Sequence, residues 1–323
     1  MSNIVFSIKE LNKSFGQKQI LKNINLDIHK GEIIGIIGAS GAGKTTFLNT
    51  LIGFLKPDSG DVLFRFETML SYKKGHMFKS VFDNQRIIKK MYGFTSQVPS
   101  FYEELTPSEN LDYFGHLHNL NKETIKTNRD ILLRLMNLEN ASRIKSKYLS
   151  GGMERRLDIA CSLMHNPEVL ILDEPTADLD PILRSHIWDL IRKINSKGTT
   201  IILSSHHLSE LELLCDRVVI LKDGHLIAKG KPSELKKEFV KVEEIIIQSK
   251  PGKYSQIVSE LKKKKIIDLD IKKDELRIFS SNPEKDLFKI LAVLKKKKEK
   301  LTFIKMAGSS LDDVFINLWK DEK

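Results

Sequence analysis

The strongest constraint on this chain is a change of character at residue 38. Ile33-Ile34-Gly35-Ile36-Ile37 is a continuous apolar run rich in β-branched residues, and Gly38-Ala39-Ser40-Gly41-Ala42-Gly43-Lys44-Thr45 follows it directly. An apolar run without a polar face reads as a strand covered on both sides, as in a parallel sheet wrapped by helices. A helix over about 44–53 follows on apolar periodicity. Strand, glycine-rich loop and helix in that order commit the chain to an α/β fold. The spacing Gly38, Gly43, Lys44, Thr45 is that of a loop that cradles phosphates. Glycines let the backbone wrap a polyanion with its N–H groups pointing inward, and the helix adds the positive end of its dipole. Lys44 is placed to reach outer phosphates, the Thr45 hydroxyl to hold Mg²⁺, and Thr46 completes the expected nucleotide-binding set.

A second apolar run, Val169-Leu170-Ile171-Leu172, ends in Asp173-Glu174. The carboxyl end of a buried strand is where an open α/β sheet presents ligand groups. Asp173 is the candidate Mg²⁺ ligand. Glu174 is the candidate base that polarises an attacking water. Between these motifs lies Leu149-Ser150-Gly151-Gly152-Met153. Serine is a strong helix N-cap, and two glycines add no bulk, so exposed N–H groups at that helix start make a second anion site.

Together the three motifs resemble those of the ATP-binding cassette of ABC transporters, over roughly residues 1–230. The resemblance implies a P-loop NTPase domain with a helical subdomain at about 98–165, with ATP and Mg²⁺ as cofactors. It implies that ATP lies between two subunits, the phosphate loop of one facing Ser150, Gly151 and Gly152 of the other. A second ATPase subunit, a homodimer partner or a paralogue, is therefore expected. Further positions match one by one. Phe15 resembles the aromatic that stacks on adenine. Gln97 resembles the glutamine that senses Mg²⁺ and the water and links to the permease. Ala177-Asp178-Leu179-Asp180 resembles the loop crossing the dimer interface, with Asp180 the matching residue and Asp178 a departure from a small one. Ser205-His206 resembles the switch histidine, and the register selects His206 over His207. Met153 with Arg155-Arg156-Leu157, and the tail Ser309-Ser310-Leu311-Asp312-Asp313-Val314-Phe315, are similar to drug-resistance-type export ATPases.

The rest of the chain divides in two. Within 1–230, strands are expected at 4–8, 24–28, 61–66, 168–173 and 199–204, and as two short strands within 216–230. Helices are expected from Thr106 to about 138, from the Ser-Gly-Gly segment to just before Asn166-Pro167, and over 181–196. Residues 67–90 read as an irregular, basic surface insertion. Residues 231–323 read as an accessory α+β domain after a connecting helix capped at Lys231-Pro232-Ser233-Glu234. Its expected order is strand 242–248, helix 253–264, strands 266–271 and 275–280, helix 283–297 and strand 301–306, a ferredoxin-like succession. A last helix over 310–320 carries Leu311, Val314, Phe315, Leu318 and Trp319 as a docking stripe.

Composition narrows the partners. The 323 residues carry a net charge of +11, much of it in Lys262–Lys265 and Lys295–Lys298. No aromatic interleaving accompanies these runs, so no nucleic-acid partner is expected. No apolar run reaches the roughly 18 residues of a membrane span, so the resemblance requires a separate integral-membrane permease. Residues 97–104, with Val98, Pro99, Phe101 and Tyr102 surface-exposed, are its expected contact. The cassette is expected not to touch the transported substrate. Met1 to Phe6 lacks a secretory leader, and the two cysteines, Cys161 and Cys215, read as buried hydrophobes, so a cytoplasmic protein peripheral on the inner face of the membrane is expected. The reading is an ATP hydrolase that powers export. The alternative is a soluble ABC ATPase acting on ribosomes or nucleic acid.

Overall fold

The computed structural model describes residues 3–70, 73–83, 85–239, 243–264, 266, 269–272, 275–307 and 310–320. The chain forms two compact units that divide between Lys231 and Pro232.

The first unit opens with a long antiparallel hairpin, β1 (Ile4–Phe15) and β2 (Lys18–His29). The buried strand β3 (Ile33–Ile37) leads through the glycine loop into α1 (Lys44–Leu51). Gly35 interrupts the isoleucines for a steric reason: a Cβ there would meet Cys215 Sγ at 2.8 Å.

Next come β4 (Ser59–Leu70) and β5 (Lys73–Ser80), antiparallel partners in register from Leu63–Ser80 to Leu70–Lys73. This corrects the expected irregular insertion. The strand at 61–66 does not stop but runs on to Leu70 and is answered by a second strand. The signal was weak because Lys73-Lys74-Gly75-His76 has no apolar alternation; backbone pairing, not side-chain pattern, makes this strand. The hairpin tip, residues 71–72, lies outside the described residues. A short α2 (Gln85–Ile88) and β6 (Tyr92–Thr95) follow.

The stretch expected to be helical from Thr106 to about 138 is two helices, α3 (Pro107–Leu117) and α4 (Lys122–Leu135). Thr106 and Glu109 form the expected reciprocal capping box. Asn119, at a positive φ of 58°, helps end the first helix, and Asn121 caps the second. Then come α5 (Gly151–Leu163), β7 (Val169–Asp173), α6 (Pro181–Asn195), β8 (Thr200–Ser205), α7 (Leu208–Leu214), β9 (Arg217–Lys222) and β10 (His225–Gly230).

Two sheets result, one antiparallel in order β2-β1-β4-β5, the other β10-β9-β3-β8-β7-β6 and parallel except for β10. The three central strands β3, β8 and β7 are buried at every position, as two-sided cover demands. The core between the sheets gathers Phe6, Leu48, Phe64 and Ile171, with the Phe6 and Phe64 rings edge-on at 4.8 Å. Each fully buried ring contributes about 2–3 kcal/mol. Both cysteines are free and buried, and burial raises the pKa of each thiol.

The second unit begins with α8 (Pro232–Phe239). It continues as β11 (Glu243–Lys250), α9 (Tyr254–Lys263), β12 (Leu269–Lys272), β13 (Glu275–Ser280), α10 (Pro283–Lys296), β14 (Lys300–Ala307) and α11 (Leu311–Lys320). Its antiparallel sheet has the order β12-β13-β11-β14. Its own core joins Ile245, Ile247, Ile257, Leu276, Ile278, Ile290 and Val293. In the last helix Leu311 and Val314 are buried, Phe315 and Trp319 stack at 3.8 Å, and Asn317 reaches the Phe239 carbonyl of α8. Ser309, part of the tail motif, lies outside the described residues. Among the described residues no helix is long and apolar enough to cross a membrane.

Candidate nucleotide site

The loop between β3 and α1 is shaped for a polyanion by its backbone. Gly43 sits at φ 103°, a left-handed angle an L side chain resists, and it serves as the N-cap of α1. The Lys44 ammonium, 9% exposed, folds back over the loop and donates to the Gly38 carbonyl at 2.8 Å. It also lies 3.5 Å from Glu174 Oε1.

An open cleft of about 700 Å³ lies over this loop. Its walls include Ala39, Ser40, Gly41, Gly43, Lys44, Thr45 and Thr46 from the loop, with Phe15, Gln97, Glu174 and His206 from four other segments. Phe15 is half exposed at the end of β1, with the Lys13 ammonium 5.6 Å from its ring centre. That leaves a ring face able to stack on a planar base. The cleft thus joins an aromatic platform, an N–H-rich loop and a carboxylate.

The carboxyl ends of β7 and β8 supply the reactive side. Ser204 Oγ donates to Asp173 Oδ1 at 2.5 Å and accepts the Glu174 N–H at 2.9 Å. Glu174 leaves the strand at a left-handed φ of 50°, which turns its side chain away from that of Asp173. His206 Nδ1 lies 2.7 Å from Glu174 Oε2. His207 does not line the cleft; its ring lies against that of His206 at 4.1 Å, its N–H bonds the Ser205 hydroxyl, and burial lowers its pKa.

Ser150 occupies the N-cap position of α5 with extended angles, but its side chain makes no capping bond. The N–H groups of Met153 and Glu154 turn back onto the Ser150 carbonyl instead. The hydroxyl expected to serve as a cap is left for other use. Neither Ser150, Gly151, Gly152 nor Asp180 lines the cleft. Asp180 Oδ1 caps α6 through the N–H groups of Ile182 and Leu183. Asp178, the departure from a small residue, adopts a left-handed φ of 60°, which Asp tolerates.

Phe101 departs from its expected surface position, being only 9% exposed, whereas Tyr102 and Val98 are 49% and 74% exposed. Asn110 causes this. Its side chain accepts the Tyr102 N–H at 2.8 Å and donates to the Tyr102 carbonyl at 2.9 Å, fixing a turn that sends Phe101 inward. Tyr102 is left outside, edge-on to Tyr113.

Arg155 stands out in this site without having signalled a role in the sequence beyond its part in the Arg-Arg-Leu pattern. It is 7% exposed and meets the carbonyls of Ser96, Asp173, Glu174 and Pro175. Burial lowers its pKa, opposed by the charges of Asp158, Asp173 and Glu174. Asp158, fully buried one turn on, is pushed up by its own burial against the bonds it accepts from Ser100. No pattern of types or spacing marks the carbonyls that Arg155 meets, because they come from distant segments.

A phosphate loop beside an aromatic ring, with an Asp-Glu pair at the carboxyl end of the parallel strand β7, defines a P-loop nucleotide-binding protein. Comparison with known proteins gives the family. A family model described as ABC transporter matches residues 21–177. The Nod factor export ATP-binding protein I of a Rhizobium species is 31% identical, over 98% of this chain and 98% of its own. The daunorubicin resistance ATP-binding protein DrrA3 of Streptomyces coeruleorubidus is 36% identical over 74% of this chain and 72% of its own. Among solved structures, cbiO1 of Clostridium perfringens, part of the ABC transporter complex cbiONQ, superposes with a TM-score of 0.64 at 30% identity, over 73% of this chain and 92% of its own. The chain belongs to the ABC transporter family, and it is an ATP-binding, ATP-hydrolysing subunit. The relatives favour this reading over a ribosome- or nucleic-acid-directed ATPase.

Proposed function

We propose that the subunit closes around ATP with a second ATPase subunit and that the closing motion drives export through a separate integral-membrane permease. The observation that carries this is the incomplete cleft. One copy brings Lys44, Glu174 and His206 to the phosphate loop, but its Ser150-Gly151-Gly152 segment lines no part of it. That segment presents a helix N-terminus with an uncommitted serine hydroxyl, suited to the γ-phosphate bound by another copy.

In this reading the loop residues Gly38 to Thr46 hold the phosphates and Phe15 stacks on adenine. Glu174 polarises the attacking water, and His206 bridges Glu174 and the γ-phosphate. Gln97 senses the site and faces the permease, with Val98 and Tyr102 as contacts. Asp180 orders the loop before α6 at the subunit interface. The Thr45 hydroxyl, the Gln97 amide oxygen and the Asp173 carboxylate are all oxygen donors, the chemistry that suits Mg²⁺, and would hold it together with phosphate and water; Thr45 and Gln97 line the cleft and Asp173 lies buried behind Glu174. Bound there, Mg²⁺ would neutralise charge developing on the β- and γ-phosphates.

Export is supported by the roles of the relatives, one of them aligned over 98% of this chain. The same reading places residues 1–230 as the ATPase domain, with a helical subdomain at about 98–165. Residues 231–323 are an accessory domain of ferredoxin-like topology, supported by its strand order and its alternation of helices and strands. The subunit would sit on the cytoplasmic face of the membrane through its permease.

The decisive test uses Glu174→Gln, which keeps the shape of the side chain and removes its basicity. ATP with Mg²⁺ should convert this variant to a stable dimer by size-exclusion chromatography, while phosphate release falls at least about 100-fold. A variant that stays monomeric at saturating ATP would refute the two-subunit site, and one that turns over at the wild-type rate would remove Glu174 as the base.

A further inference from the structure

Arg155 lies in the second turn of α5, the helix whose first residues are the Ser-Gly-Gly segment. Its side chain runs inward to two segments of the catalytic site. Nη2 donates to the Asp173 and Glu174 carbonyls at 2.9 and 3.0 Å, and Nε to the Pro175 carbonyl at 3.0 Å. Three successive carbonyls converge on one guanidinium because the chain turns at the left-handed Glu174. Nη1 donates to the Ser96 carbonyl at 2.8 Å, one residue before Gln97. Asp158 on the same helix holds Nη1 at 3.4 Å and, through Oδ1, accepts the N–H and the hydroxyl of Ser100 at 2.8 and 2.7 Å. Gln97 is thus bracketed by two anchors, Ser96 and Ser100, that both lead to α5.

We propose that Arg155 is a positioning residue for hydrolysis, a strut through which α5 sets the aim of Glu174 and Gln97 within its own subunit. The left-handed turn at Glu174 is a conformation a side chain resists, so it persists only where its surroundings fix it. Ser204 secures the N–H of Glu174, and Arg155 secures its carbonyl and those on either side. Only a planar fork with several donors in fixed directions satisfies four carbonyls from two segments; a lysine ammonium has three donors and no plane.

This inference rests on Glu174 as the base, and its test separates the two. Arg155→Gln and Arg155→Lys are compared with wild type and with Glu174→Gln in the full chain, reading kcat, KM, affinity for a fluorescent ATP analogue, and Tm. Arg155→Gln should lower kcat about 100-fold, the scale of an ångström-level misplacement, with KM and analogue affinity within about threefold of wild type. Arg155→Lys should recover part of the loss. A rise in KM at unchanged kcat, or a kcat that falls only with the folded fraction, overturns the strut. Should Arg155→Gln fail to fold, Asp158→Asn, which keeps the volume and loosens Nη1, should lower kcat severalfold at constant KM; wild-type kcat there would overturn it equally. Wild-type turnover in Glu174→Gln would instead strike at the base and leave the Arg155 result to be read alone.

Discussion

His206 and Glu174 face each other at 2.7 Å, Nδ1 to Oε2, although one lies just past β8 and the other just past β7. Neighbouring parallel strands end side by side, so residues one step beyond each end meet over the sheet's carboxyl edge. Lys44 approaches the other carboxylate oxygen of Glu174 at 3.5 Å. The carboxylate therefore sits between the Lys44 ammonium and the His206 imidazole.

Removing the imidazole should leave Glu174 in place and weaken its use. His206→Ala is expected to lower kcat about 10- to 100-fold with little change in ATP affinity, in line with loss of one polar group from a catalytic set. The check is phosphate release at saturating ATP, with nucleotide affinity measured in parallel. Loss of ATP binding of similar size would make His206 a binding residue instead.

Ser204 is the hinge of the carboxylate pair, donating to Asp173 and accepting from the Glu174 N–H. Ser204→Ala leaves a buried carboxylate oxygen without its donor and a backbone N–H without its acceptor, a cost of about 1–3 kcal/mol. Thermal unfolding should register that loss, and turnover should fall further than the folded fraction explains. A variant with wild-type Tm and turnover would show that the bridge does nothing.

Much of this was legible in the sequence, for reasons that differ by element. The strands β3 and β7 and the loop between β3 and α1 announce themselves because burial on both faces demands unbroken apolar runs and phosphate binding demands glycines at fixed spacing. His206 was identifiable by register, since a strand boundary fixes which of two adjacent histidines leaves the sheet edge. The β4–β5 hairpin was not, because Lys73 to Ser80 pairs through its backbone and carries no alternation. Phe101 was misplaced because Asn110, nine residues on, decides which way the turn faces. Arg155 entered the sequence reading only through the Arg-Arg-Leu pattern, because four of its partners are carbonyls, and carbonyls have no residue type.

The burial of Phe101 separates two effects that the sequence joined. Tyr102→Ala removes exposed aromatic surface and should leave Tm and ATP binding near wild type while reducing co-purification of the membrane partner from detergent extract. Phe101→Ala opens a cavity in the core and should cost about 3–5 kcal/mol of stability. Urea denaturation distinguishes them. Equal destabilisation by both substitutions would mean that Tyr102 is packing, not docking, surface.

His165 gives the fold a specific weakness to acid. Its ring stacks on that of His118 at 3.7 Å and 7°, and Nε2 faces the Tyr92 carbonyl at 3.1 Å, which selects the tautomer protonated there. Burial, then the neighbouring His118, lowers its pKa to about 4 from an ordinary 6.5. The folded pKa is depressed, so between pH 6.5 and 4 the unfolded chain holds a proton that the folded chain refuses. The contribution is present above pH 6.5 and is lost as pH falls towards 4, up to about 3 kcal/mol across the window. His118 shifts in the same direction, through burial and then Lys90, and adds to the slope. Urea midpoints at pH 7 and pH 5 should therefore drop more for wild type than for His165→Gln, which cannot titrate. Identical drops in the two proteins would place the acid sensitivity elsewhere in the chain.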